Sequence, residues 1–96
     1  MSVYVIAQVN IHDADKYALY VKGFIAMFAD YRGAVVVADD KVEVIEGAWP
    51  YARTAVIRFD DDAEARRWYH SEAYQVAAAH RFGSATTNLI IARGLD

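Results

Sequence analysis

The sequence predicts an α+β fold, a β-α-β-β-(α-α)-β chain whose antiparallel sheet carries its helices on one face. The apolar pattern changes from a period of two to a helical period and back, and does so twice along the chain. Between the two helical stretches lie β-branched runs separated by turn residues, where a third helix would show longer periodicity. The length, 96 residues, suits one domain spanning 1–96.

Each element has its own signal. "VYVIAQVNI" (3–11) alternates, with Val3, Val5, Ala7, Val9 and Ile11 on one face and Tyr4, Ile6, Gln8 and Asn10 on the other, as a strand does. Across 12–31 the spacing of Tyr17, Val21, Phe24 and Phe28 is helical, Asp13 is a suitable N-cap, and Gly33 is placed to stop the helix. "AVVVA" (34–38), the turn "DDK" and "VEVIE" (42–46) predict a hairpin. The loop 47–51 holds the single proline, and "RTAVIRF" (53–59) is a further strand. Asp61 and Glu64 are spaced as a capping box for a helix over 60–70. Ser71 is the natural N-cap of a second helix over 72–82 that Gly83 ends, and "TTNLIIA" (86–92) is the last strand. This order is the ferredoxin-like, split βαβ arrangement. Right-handed crossovers put the first and fourth of the five predicted strands near the sheet centre.

Composition narrows the function classes. A 56% apolar share is too high for a disordered chain. A net charge of −3 with scattered Lys and Arg argues against nucleic acid as a partner. Without cysteine there is no disulfide, thiolate metal site or Cys nucleophile, which fits a cytoplasmic protein. No apolar run reaches the ~18 residues of a membrane span, and "MSVYVIAQVN" alternates as a strand where a signal peptide would show a charged start. "AVVVA", "TAVIRF" and "NLII" are apolar on both faces, so the sheet face without helices is expected to pack on a second copy as a homodimer.

The spacing of Glu46, Gly47 and Trp49, then Phe59, then Trp68, Tyr69, Ser71 and Tyr74, with Arg81 ten residues after the serine, resembles the domain of unknown function 1330 family over essentially the whole chain. Two places depart from that pattern: Glu72 stands where the family usually has Pro, and "YRGAVVVADD" carries one Gly where a Gly-rich stretch is common. The resemblance implies a dimeric α+β barrel. That superfamily includes cofactor-independent monooxygenases, haem-degrading monooxygenases, lactone isomerases and stress-response dimers. It implies no particular reaction, because a shared fold does not supply one.

The candidate site is a pocket between sheet and helices for a small, partly apolar and anionic organic molecule. Arg81 is its expected anion contact, with Tyr17, Trp49, Tyr69 and Tyr74 as lining and His80 as the expected acid/base group. Each has a simpler reading: His80 and Arg81 would suit a helix C-terminus, Trp68 and Tyr69 would divide between core and cleft, and Arg81 could tie to Glu46. Ser71 lacks the surroundings of a nucleophile. No cofactor or metal is expected, since His12, His70 and His80 share no ligand spacing. Haem remains a remote alternative on Asn10, Trp68 and His80, because the register puts the superfamily's histidine near Ala78. Two function classes stay open: a binding protein or cofactor-independent oxidoreductase or isomerase, and a non-enzymatic structural or stress-response dimer.

Overall fold

The computed structural model describes residues 1–96. Its elements are β1 (Val3–Ile11), α1 (Ala14–Phe28), β2 (Gly33–Asp39), β3 (Arg53–Phe59), α2 (Asp62–Tyr69), α3 (Glu72–Phe82) and β4 (Ala85–Arg93). The sheet order is β2-β3-β1-β4, every neighbouring pair antiparallel, so β1 and the strand over 53–59 are central as expected. This is the ferredoxin-like α+β fold.

The predicted strand over 42–46 does not form, and the sheet has four strands rather than five. β2 pairs directly with β3, and residues 40–52 form the connection. β3 is longer and buries Ile57 and Phe59, whereas Ile45 is 83% exposed and finds no surface to cover it. An Asp39 carboxylate oxygen accepts from the Lys41 amide at 2.8 Å, which turns the chain away from the end of β2.

The first helix is also shorter than predicted. It starts where Asp13 accepts from the Lys16 amide at 3.1 Å and ends at Phe28. Gly33 does not stop it; it lies in β2 opposite Phe59, where a Cβ would sit 2.9 Å from the phenyl ring. The absent side chain makes room for a fully buried Phe59.

Asp61 caps α2 by accepting from the Glu64 amide at 2.8 Å, but only half of the expected capping box exists, because the Glu64 carboxylate is engaged with Arg67 and Arg32 instead. Ser71 joins α2 to α3: its Oγ accepts from the Tyr74 amide at 3.0 Å and donates to the Trp68 carbonyl at 2.8 Å. α1 and α3 lie close together, since a Cβ at Gly23 would meet that of Ala77 at 3.0 Å. The core beneath them is aromatic, with Trp68 against Tyr74 (ring centroids 4.1 Å apart) and Phe59 (5.2 Å).

No helix is long and apolar enough to cross a membrane. Register places Val37, Val56, Ile6 and Ile90 in one row across all four strands on the face away from the helices. Gln8 and Asn88 adjoin that row, and the Asn88 amide donates to Gln8 at 3.3 Å.

Candidate functional site

The pairing register creates a hollow on the helix side of the sheet. One inward row, Val35–Ile57–Val5–Ile91, is filled by branched side chains. The next row is Ala38–Ala55–Ala7–Leu89, where three adjacent strands carry only a methyl group. The helices cannot descend into that gap because Tyr17, Tyr20, Phe24, Trp68 and Tyr74 prop them away from it. The result is a cavity of about 260 Å³ lined by these residues together with Arg53, Arg81 and Thr87. That volume sits just below the ~300 Å³ at which small-molecule pockets begin. An open vestibule of about 510 Å³ adjoins it at the end of β1. Val9, Tyr17, Val21 and Arg53 form the wall common to both.

The electrostatics centre on Arg81, which is 5% exposed. Its Nη2 donates to the Tyr74 hydroxyl at 3.3 Å, and its guanidinium carbon lies 5.5 Å from the Tyr20 ring centroid and 4.9 Å from that of Phe82. No carboxylate faces it. The sequence has seven arginines, and the other six (Arg32, Arg53, Arg58, Arg66, Arg67 and Arg93) each pair with an acid. The unpaired one is therefore the buried one. Burial works against its charge, while the Tyr74 and Tyr20 oxygens favour it, and the balance lies above the ordinary arginine range. Tyr20 shares a hydrogen bond of 3.0 Å with Tyr74, and burial, followed by the Tyr74 neighbour, pushes its phenol well above the usual tyrosine range. Both groups keep their protons at neutral pH and present N–H and O–H donors.

Three buried side-chain polar atoms have no hydrogen-bond partner: Trp68 Nε1, Arg81 Nε and Thr87 Oγ1. All three residues line this cavity. Native interiors pair almost all such groups, so three residues with an unpaired polar atom around one cavity single it out as the candidate site.

Of the residues expected at the site, Tyr17, Tyr74 and Arg81 come together here. Trp49, Tyr69 and His80 do not. Trp49 is 42% exposed and donates to Thr54 Oγ1 at 3.0 Å, folding its loop over the opposite sheet face. Tyr69 borders a separate open depression at the β4 edge, shared with Arg81 and Thr87. His80 turns to the outer groove between α1 and α3, beside Leu19, Gly23 and Val76. The suggested tie from Arg81 to Glu46 does not form, because Glu46 is exposed in the 40–52 connection. No three His, Asp or Glu side chains gather as a metal site requires. Tyr20, which shares the first helix with Tyr17 and could be expected to reach a sheet–helix pocket with it, also lines the cavity. Sequence reasoning missed Arg53, Trp68 and Thr87 as lining.

Structural comparison returns proteins of the same fold. A protein of unknown function from Rhodopseudomonas palustris has a TM-score of 0.82 at 17% identity, covering 99% of this chain and 83% of that one. A dimeric ferredoxin-like protein of unknown function from Jannaschia sp. CCS1 has a TM-score of 0.82 at 9% identity, covering 98% and 100%. SnoaB, a cofactor-independent oxygenase from Streptomyces nogalater, has a TM-score of 0.70 at 14% identity, covering 99% and 94%. At these identities the likeness establishes the fold. No curated protein matches the sequence. Residues 2–95 match the family described as Domain of unknown function (DUF1330), and the chain belongs to that family.

Proposed function

We propose that this chain is a small-molecule-binding protein that works as a homodimer and holds a partly apolar organic ligand between its sheet and helices. The observation that carries this reading is that every residue with an unpartnered buried side-chain polar atom lines one cavity. A purely structural dimer has no use for a hollow with a lone arginine in its wall. The dimer itself is supported by the row Val37–Val56–Ile6–Ile90, where Ile90 is 56% exposed, and by the description of the Jannaschia relative as dimeric.

The lining contains no carboxylate and no imidazole, so it offers donors and cations but no strong base. His80 lies outside it and is not part of this proposal as a base. With no lining group to take a proton, the chemistry that suits this cavity is cofactor-independent oxidation by dioxygen of a substrate that has already lost its proton to water before it binds. Arg81 and the phenols would stabilise the negative charge that develops. The likeness to SnoaB makes oxygen-dependent turnover the first activity to assay.

The test is a thermal-shift screen of small organic acids, amides and amines on the native protein and on Ala55→Leu, which fills the centre of the cavity. At least one class should raise the melting temperature of the native protein, since ligand at 100 times its Kd adds about 2.7 kcal/mol. Ala55→Leu should lose that response while remaining a dimer by light scattering. An equal response in Ala55→Leu would place the ligand elsewhere.

A further inference from the structure

We infer that the ligand is a monoanion, an organic carboxylate with an apolar body, whose head group seats on Arg81 in the cavity wall. This rests on the cavity being the ligand site and adds the chemical class. A lone buried cation is costly, and proteins tolerate one where a partner of opposite charge arrives. Arg81 is that cation, buried and without an acid, while every other arginine has one.

Charge counting selects a monoanion. The only other charged residue in the lining is Arg53, and it is already neutralised by Asp40. One guanidinium is left over, which matches one negative charge and leaves a doubly charged phosphate ester under-compensated. Geometry selects a carboxylate. Arg81 Nε has no partner, and Nη2 has only the 3.3 Å contact to Tyr74. These two nitrogens form the edge of the guanidinium that a carboxylate bridges with two parallel N–H···O bonds. Trp68 and Thr87, whose Nε1 and Oγ1 also lack partners, line the same cavity. The remaining surface is largely apolar and aromatic, which fits a hydrocarbon or aryl body.

The test is isothermal calorimetry on the native protein at pH 7 with two matched pairs, 2-naphthoate with 2-naphthamide and octanoate with octanamide. The acid of at least one pair should bind about 10-fold or more tightly than its amide, the margin of a charge-assisted hydrogen bond. Arg81→Met should abolish that margin, and Arg81→Lys should keep part of it. Should Arg81→Met fail to fold, the native acid-to-amide ratio and Arg81→Lys still decide the matter. Amides binding as well as acids would overturn the carboxylate class and leave the cavity reading standing. No binding by any of the four probes would overturn the carboxylate class with an octyl or naphthyl-sized body and leave the cavity reading to the thermal-shift screen.

Discussion

Glu64 and Arg81 are both charged and both almost fully buried, at 2% and 5% exposure, yet the fold treats them in opposite ways. Glu64 is saturated. Arg67 grips both carboxylate oxygens, from Nε at 2.8 Å and Nη2 at 2.7 Å, and the Arg32 amide adds a bond of 2.7 Å. These contacts tie the start of α2 to the segment leading into β2, and nothing on Glu64 is left to engage a ligand. Arg81 has one long contact to a phenol and an unused Nε beside a cavity. A buried charge that serves structure has its partners inside the chain. A buried charge that serves a ligand has a vacancy next to it.

The largest effect that tests this contrast is Glu64→Gln. It should destabilise the protein at pH 7 by about 2 kcal/mol, the scale of hydrogen bonds to a buried charge, with the exposed arginines partly compensated by water. The effect should depend on pH in a stated direction. The Arg67 hydrogen bonds, followed by the Arg32 amide, hold the Glu64 carboxyl at about 2, well below its unfolded value. Its contribution is complete above the unfolded pKa of ~4.3 and disappears as pH falls towards the folded value. Chemical denaturation of native protein and Glu64→Gln should give a difference that is constant from pH 7 to about 5 and narrows below that. A difference that grew on acidification would break the assignment.

Arg81→Met should change stability by much less than Glu64→Gln. Removing the buried cation relieves its desolvation and loses only the 3.3 Å bond to Tyr74 and the contacts with the Tyr20 and Phe82 rings, so stability without ligand should move by less than about 1 kcal/mol. The same denaturation experiment checks it. A loss comparable to that of Glu64→Gln would place Arg81 with the structural charges and dissolve the contrast.

The sequence carried more of the fold than of the site, and the division has a physical basis. Strands 3–11 and 53–59 and the helix over 72–82 were legible because each buries a face whose period is written in consecutive residues. The strand over 42–46 failed because alternation describes a face but cannot provide the surface that covers it. At the site, Tyr17 carried the signal of its helical stripe, whereas Tyr74 and Arg81 were marked by the family spacing, which does not say where a side chain points. His80 was not separable from Arg81 by adjacency, yet one residue is about 100° around a helix, enough to turn it to the outer groove. The cavity could not be read at all. It depends on Ala7, Ala38 and Ala55 falling side by side, and that is a property of pairing register rather than of any local segment.

Arg53 lies between the two extremes and gives the smallest effect. It is partly exposed, shares the wall between vestibule and cavity, donates to the Tyr17 hydroxyl at 3.3 Å, and is paired with the well-exposed Asp40. A pair of this kind contributes ~0–1 kcal/mol, so Asp40→Asn should change stability by less than about 0.5 kcal/mol. Its effect on binding should be larger than its effect on folding. Removing the Asp40 carboxylate leaves a second uncompensated guanidinium at the cavity mouth, so 2-naphthoate should bind more tightly and its affinity should fall more steeply with added salt. Calorimetry at two ionic strengths reads both quantities. An unchanged affinity would mean that the charge at the mouth does not reach the ligand, confining anion recognition to Arg81 alone.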